Sequence, residues 1–318
     1  MLTSDSIVVG GGPAGSACAW KLKTMGCDVL ILDKETFPRP KVCAGWITPK
    51  VWDILGITPA DYPYALTQFN RIHYSVFGFK IPVITRQYAI RRYEFDKWMI
   101  SRTHVPVFTH TVKNIVKINE DYIIDNKYRC KYLVGAGGTH CPVFKIFFSF
   151  LHQRAEKALI VAVEKEYRCD YLETDCRIWF FDHGLPGYSW YLPKQDGWLN
   201  IGLGGKFLKL KTSGKTIMDH WHEFTKKLQL LSLIHKPPQN PKGHTYYLHQ
   251  KKQINQRENA FIIGDSAGLS TLDMGEGIHA AIASGLMAAK AIAGKKKFNP
   301  GSLSKFSLPG ILVAGYKK

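Results

Sequence analysis

The sequence predicts an α/β protein in which a parallel sheet of the nucleotide-binding type alternates along 318 residues with an antiparallel one. Three observations predict it. Ser6-Ile7-Val8-Val9 is a short apolar run that breaks into Gly10-Gly11-Gly12-Pro13-Ala14-Gly15 and resumes as a helical pattern. Residues 158 to 205 read almost entirely as strands. Ala260-Phe261-Ile262-Ile263 is a late buried strand that ends in Gly264-Asp265 and is followed by a long helix rich in alanine and glycine.

The first of these is the most informative. Gly10, Gly12 and Gly15 hold three fingerprint positions: one for a tight turn, one that lets backbone approach a pyrophosphate, one for close packing of helix on strand. Pro13 and Ala14 open the helix, whose free N–H groups and dipole favour phosphate. Gly26 is a plausible stop, and Val29-Leu30-Ile31-Leu32 is a second buried strand ending at Asp33. A carboxylate there accepts hydrogen bonds from an adenosine ribose. The competing reading is a glycine-rich turn that binds nothing; the spacing and the strand–helix context argue against it.

Composition sets the class. With 45% apolar residues the chain supports a sizeable core in one large domain or two. The seven cysteines, at 18, 27, 43, 130, 141, 169 and 176, are odd in number and form no C-x-x-C pair. Neither a disulfide framework nor a zinc site is expected, and the implied setting is reducing and cytoplasmic. No basic leader with a cleavage site is read at the N-terminus, and no apolar run approaches the ~20 residues that span a bilayer. The formal charge of +18 attracts anions: phospholipid headgroups, nucleic acid or a phosphorylated substrate. Aromatic and basic residues do not interleave as a base-stacking platform requires, so nucleic acid is not expected.

Further along, Lys34 to Pro49 holds Pro38, Pro40 and Pro49 and reads as a loop beyond the carboxyl ends of the first strands. Within it lies Lys41-Val42-Cys43-Ala44-Gly45, where Cys43 is either a thiol beside a reactive ring or a small residue filling a gap. Phe69 to Ile84 alternates as a hairpin turning at Phe77-Gly78-Phe79. Residues 88 to 103 carry Phe95, Trp98, Met99 and Arg102 at helical spacing, an aromatic stripe that reads as core. Val112 to Val134 is a three-stranded meander running into Gly135-Ala136-Gly137-Gly138. The strands between Ala158 and Gly205 bear many large aromatics, suited to a packed core or to the wall of an apolar pocket. Thr216 to Ile234 is a helix on which His220 and His222 point to different sides and are expected at the surface. Ile278, Ala281, Ile282, Gly285, Leu286 and Ala289 share one face of the last long helix. From 295 to 318 there are six lysines and no acid, with Ile311-Leu312-Val313-Ala314 as an apolar patch that is either solvated or rests on a membrane.

The glycine turn, Arg92-x-x-Phe95-Asp96 and the late Gly264-Asp265 occur in an order that resembles the FAD-dependent oxidoreductases of the p-hydroxybenzoate hydroxylase type, over nearly the whole chain. That fold is a Rossmann-like FAD-binding domain interleaved with an antiparallel β-sheet substrate domain. The resemblance implies an FAD-binding part at 1–66, 87–150 and 256–294, a substrate part at 67–86 and 151–255, and a basic tail at 295–318. Lys41-Val42-Cys43-Ala44-Gly45 is similar to the K-x-C-G-G loop of the geranylgeranyl reductases, and residues 186–193 resemble their P-x-x-Y-x-W-x-F-P motif. Here Ala44 replaces a glycine, Leu192 a phenylalanine, and Pro186 stands one residue nearer Tyr188.

The resemblance implies that Asp265 and Arg92 serve FAD, and that Gly275, Gly277 and Ile278 bring a helix start beside the flavin. It adds Lys34, Cys43, Ala44 and Val112 as cofactor contacts. Cys43 is implied beside the reacting double bond, with Tyr188 and Trp190 against an isoprenoid chain. The implied activity is hydride transfer from reduced FAD to a carbon–carbon double bond of an isoprenoid lipid. The implied reductant is NAD(P)H or a carrier protein, and the charge allows peripheral contact with an anionic membrane. Two rivals stand beside it: a monooxygenase or halogenase of the same fold, and a flavin-binding membrane-surface protein without turnover. Gly137 stands where the fold's G-A-D-G motif has aspartate, which weighs against a monooxygenase.

Overall fold

The computed structural model describes residues 1–151, 154–170, 174–250 and 253–313. The chain forms two compact units, each assembled from separate segments. The first takes Met1–Arg39, Tyr93–Arg154 and Tyr246–Phe306; the second takes Pro40–Arg92, Ala155–Thr245 and the residues from Ser307 onward.

In the first unit the strand order is Gln256–Arg257, Ala260–Ile262, Tyr128–Gly135, Leu2–Val9, Val29–Asp33, Val107–Thr109. The four central and terminal pairings from Ala260–Ile262 to Val107–Thr109 are parallel, with Val9 opposite Leu32 and Gly135. Both faces of these strands are buried, which accounts for their unbroken apolar runs. On one face Val8, Ile31, Val134 and Phe261 pack beneath helices Pro13–Thr24 and Ile278–Ile292. On the other, Ile7, Leu30, Leu133 and Ile262 meet Val143 and Phe148 and the meander residues Tyr122 and Ile124. The meander is Ile115–Ile118, Asp121–Ile124 and Tyr128–Gly135, as its turn signals predict. The two helices touch at glycine: a Cβ on Gly285 would lie 2.3 Å from the Ala14 carbonyl oxygen.

The second unit is built on an eight-stranded sheet ordered Lys242–Tyr247, Leu159–Arg168, Trp198–Lys206, Gly187–Lys194, Cys176–Phe180, Thr67–Val76, Phe79–Ala89, Trp46–Ile47. Its two faces differ. Val163, Tyr191, Leu199, Ile201 and Leu203 pack on helix Ile217–Leu230 through Trp221, Phe224 and Leu228. The opposite face carries Glu164, Glu166, Trp190, Lys194 and Asn200, because side chains alternate along each strand.

Several expectations shift. Residues 40–66 and 87–92 fall in the second unit, since Trp46–Ile47 pairs with Tyr88–Ala89 at the sheet edge. The aromatic-striped helix runs Arg92–Ser101, shorter than residues 88–103, because its first positions are taken by that strand. His222 is exposed as expected, whereas His220 is 3% exposed. Four residues before Phe224, His220 lies on the buried side of its helix, and burial lowers its pKa so that it is neutral. The apolar patch near the C-terminus is a short helix, Leu308–Val313, in which Ile311 is buried and its carbonyl accepts the Thr85 hydroxyl at 2.6 Å. Ala314 lies outside the described residues. No helix among the described residues is long and apolar enough to cross a membrane.

Candidate functional site

In the first unit the glycine turn connects Leu2–Val9 to Pro13–Thr24. Gly10 has φ 112°, and a Cβ there would stand 2.4 Å from the Ala136 carbonyl oxygen. A Cβ on Gly15 would stand 1.9 Å from the carbonyl oxygen of Gly10. Gly12 differs: its φ is −67°, and the nearest atom to a Cβ is an Arg39 guanidinium nitrogen at 3.6 Å. The protein itself therefore requires glycine at 10 and 15, while the space at 12 is left open. Gly12 caps the helix without a side-chain hydrogen bond, Pro13 and Ala14 follow at its start, and the Arg39 cation stands alongside. Open N–H groups and one cation suit a pyrophosphate.

Asp33 is buried and accepts the Gly11 N–H at 2.6 Å and the Glu35 N–H at 2.9 Å, which orient its carboxylate at the strand end. Lys34 turns to solvent beside Glu35, and Val112 is half-buried against the core. Arg39 reaches Asp96 at 3.6 Å and lies over the Phe37 ring, so the aspartate of the Arg92-x-x-Phe95-Asp96 motif faces a cation from the loop.

The late motif forms a second cradle in this unit. Gly264 has φ 59° with its N–H on the Ser284 hydroxyl, and Asp265 follows in a single turn of 3-10 helix. A Cβ on Gly277 would stand 3.1 Å from Ser270 Oγ and 3.5 Å from an Asp265 carboxylate oxygen. Gly277 is the N-cap of the helix that begins at Ile278, the first-turn N–H of His279 donates to Glu276 Oε1 at 2.8 Å, and Gly275 has φ 59°. A carboxylate beside a helix N-terminus suits a ligand with hydroxyls and a region of negative charge. Arg154 donates to the carbonyls of Thr139 and Ser266 and lies over Phe144. These donor sets fit FAD: an adenosine and pyrophosphate end at Gly10–Asp33, and a carboxylate beside a helix start at Asp265–Ile278.

In the second unit the loop 41–45 is held by hydrogen bonds. Lys41 Nζ donates to His244 Nε2 at 2.7 Å. The Cys43 N–H donates to Glu164 Oε1 at 2.8 Å, and the Gly45 N–H meets Cys43 Sγ at 3.4 Å. Gly45, with φ 75° and a Cβ position 2.1 Å from the Ile90 carbonyl oxygen, is the left-handed residue of this loop, which explains why Ala44 is tolerated beside it. Glu164 Oε2 accepts Asn200 Nδ2 at 3.0 Å, and Asn200 Oδ1 accepts Trp190 Nε1 at 2.7 Å. A continuous hydrogen-bonded chain thus runs from Cys43 through Glu164 and Asn200 to Trp190.

Burial pushes the Glu164 carboxyl above the usual range, against the hydrogen bonds from Asn200 and Cys43 and the nearby Lys194. Glu166 goes the other way: burial is outweighed by Lys194 and Arg91, which bond it at 2.5 and 3.0 Å and hold it ionised. Arg91 also stacks at 3.5 Å on the Trp198 ring.

Trp190 is 9% exposed, and Tyr188, half-buried, lies next to it at 5.9 Å between ring centres. Trp190 lies flat on Gly202, its cross-strand neighbour, where a Cβ would come within 2.2 Å of the indole. Gly202→Ala is expected to displace the indole, break its bond to Asn200 and cost about 1–3 kcal/mol, read as a lowered melting temperature. Arg92 is buried at its helix start.

Sequence reasoning missed Arg39, Arg154, Glu164 and Asn200. Alternation along Leu159–Arg168 puts Glu164 and Glu166 on one face with Ala162, opposite Val161 and Val163, but only the pairing of Glu164 with Gly202 reveals that this face is enclosed.

The family described as NAD(P)-binding Rossmann-like domain matches residues 8–41, the first turn and its flanking strands. A digeranylgeranylglycerophospholipid reductase of Methanosphaera stadtmanae is 27% identical over 97% of this chain and 82% of its own length. This chain is similar in sequence to the digeranylgeranylglycerophospholipid reductases. Across such reductases of Methanopyrus kandleri and Methanosphaera stadtmanae the matched share of the relative runs from 54% to 82%. A menaquinone reductase of Mycobacterium tuberculosis is 28% identical over 64% of this chain and 55% of its own length. The fold is that of the geranylgeranyl bacteriochlorophyll reductase-like protein of Thermoplasma acidophilum, with a TM-score of 0.77 at 20% identity over 92% of this chain and 79% of that one.

Proposed function

We propose that the chain is an FAD-dependent reductase that adds hydrogen across carbon–carbon double bonds of an isoprenoid or quinone-like lipid. The observation that carries this reading is the hydrogen-bonded chain Cys43–Glu164–Asn200–Trp190 on an aromatic sheet face, in a protein whose other unit holds a dinucleotide turn. Gly10, Gly12, Gly15 and Asp33 would hold the adenosine and pyrophosphate of FAD; Asp265, Gly275 and Gly277 would hold its ribityl and ring end. Reduced FAD, when bound, supplies hydride from N5. The alkene takes that hydride on one carbon and a proton on the other, so a proton donor has to stand at the second carbon.

Cys43 is the residue assigned to that carbon, with its thiol or a water it orients as the donor. Glu164 and Asn200 act as positioning residues: they fix the Cys43 backbone and the Trp190 ring. Tyr188 and Trp190 give the lipid chain a dry, flat wall, which keeps water from competing for the hydride. The surplus of cations favours a substrate with an anionic head. Electrons enter from NAD(P)H or a carrier protein. The fold is shared with a flavin-dependent brominase, and a halogenase is the reading that the test below separates.

Anaerobic, dithionite-reduced, FAD-loaded protein is expected to convert geranylgeranyl diphosphate or a menaquinone to a product two mass units heavier for each double bond reduced. Cys43→Ser is expected to lower the single-turnover rate ~100-fold with flavin content unchanged. No mass change with either lipid, together with oxygen- and halide-dependent consumption of an aromatic substrate, would overturn the proposal.

A further inference from the structure

The hairpin Thr67–Val76 and Phe79–Ala89 carries the most exposed aromatics of the second unit. Phe77 is 76% exposed and Phe79 75%, with Ile81 at 49% beside them. Phe181, also exposed, stacks on Phe77 at 5.4 Å between ring centres. Phe77 and Phe181 are both left-handed, with φ of 47° and 56°, a backbone that bulky residues seldom adopt. Phenylalanines held in this way at a turn tip, with no contact that buries them, spend stability on being displayed.

The charge around the tip has one sign. Between Asp61 and Glu94 the chain has no acidic residue, and Arg71, Lys80 and Arg86 are exposed on the hairpin. Two acids on neighbouring segments are themselves paired, Asp175 with His73 of the hairpin at 2.7 Å and Asp182, next to Phe181, with Lys227 at 2.7 Å. Inward from the tip the aromatic contacts do not stop. Phe181 meets Phe180 at 6.1 Å, Phe180 meets Tyr188 at 5.5 Å, and Tyr188 meets Trp190 at 5.9 Å. An unbroken row of rings thus joins the most exposed phenylalanine to the indole bonded to Asn200.

We infer that this hairpin tip docks on an anionic bilayer, its phenylalanines entering the acyl boundary and its arginines and lysine meeting the headgroups, and that the aromatic row leads a lipid chain from the bilayer toward Trp190. The second clause rests on the proposed lipid substrate; the first does not. Exposed aromatics give affinity by leaving water, and the cations give selectivity for negative lipid.

Co-sedimentation of the FAD-loaded protein with phosphatidylglycerol vesicles and with phosphatidylcholine vesicles tests it. Binding to the first and not to the second is expected. Phe77→Ser with Phe79→Ser is expected to lower the partition coefficient about tenfold or more, with the flavin spectrum and melting temperature unchanged. Lys80→Glu with Arg86→Glu is expected to weaken binding at low salt and to matter less at high salt. The phenylalanine pair should also slow reduction of lipid embedded in vesicles while sparing lipid dispersed in detergent. Equal binding of the double variant and the unaltered protein, or no binding of the unaltered protein to phosphatidylglycerol, overturns the inference. So does a dimer that falls apart on Phe77→Ser with Phe79→Ser, which would assign the patch to a contact between copies. Vesicle binding with no lipid reduced would sink the proposed function and leave the docking face intact; reduction without vesicle binding would do the reverse.

Discussion

Gly12→Ala is expected to weaken FAD binding by tenfold or more while leaving the stability of the flavin-free protein within about 0.5 kcal/mol of the original. The reason is geometric. Gly12 has an ordinary φ of −67° and no protein atom closer than 3.6 Å to a Cβ, so the chain tolerates the methyl; only a ligand that lies against the backbone is excluded by it. Gly15→Ala should behave otherwise. Its Cβ would stand 1.9 Å from the Gly10 carbonyl oxygen, so the turn itself has to move, at a cost of about 1–3 kcal/mol and with loss of the flavin as well. Flavin content after purification and the melting temperature of the stripped protein distinguish the two. If both variants lost stability equally, the open space at residue 12 would have no ligand to account for it.

The second large effect is expected at Glu164. Glu164→Leu leaves the Cys43 N–H without its acceptor, at about 1–3 kcal/mol, and the Asn200 amide with only the Cys43 carbonyl at 3.5 Å. Loss of turnover should accompany it, since both Cys43 and Trp190 are held through this carboxyl. Glu164→Gln keeps one acceptor oxygen and is the milder change. The pH dependence has a definite sign. Burial raises the pKa of Glu164 in the folded chain above its unfolded value of about 4.3, so the folded state keeps the proton to higher pH. Its contribution to stability is complete below the unfolded value and is lost as pH rises through the folded one. Glu166, with its pKa lowered, has the opposite dependence: its contribution is complete above its unfolded value and is lost as pH falls through the folded one. Subtracting the melting temperatures of Glu164→Gln from those of the unaltered protein cancels the Glu166 part. The difference should shrink as pH climbs from 4 toward neutrality, and a flat difference would remove the buried proton from the account.

How far the sequence discloses this depends on distance along the chain. Gly10, Gly15, Gly26 and Asp33 are legible because turn, helix stop and strand end are local events with strong residue preferences. The meander and the Phe77-Gly78 turn are legible for the same reason. Glu164 is not, since an acid alternating with valines on a strand reads as a solvated face; its burial follows from the pairing with Gly202 and Trp190, residues that stand far along the chain. Asn200 and Arg154 share that difficulty. His220 is a different case: its spacing to Phe224 carries the signal, since residues four apart share one side of a helix and Phe224 is core. The short helix at Leu308 was hidden by its lysine-rich surroundings, which say nothing of where Ile311 is buried.

The first unit places strands Leu2–Val9, Tyr128–Gly135 and Ala260–Ile262 side by side and lays Gly285 against Ala14. This order has a consequence for how the chain is made. Once the strand Leu2–Val9 has been translated, one of its flanks stays bare until residue 135 has left the ribosome, and the helix after the glycine turn stays uncovered until Ile278–Ile292 follows. At 5–20 residues per second that interval is roughly 15–60 s. Throughout it Ile7, Val8, Cys18 and Leu22, all fully buried in the finished protein, are open to the wrong partners. The glycine turn, built from residues close together in the chain, is thus among the last parts of this unit to be covered.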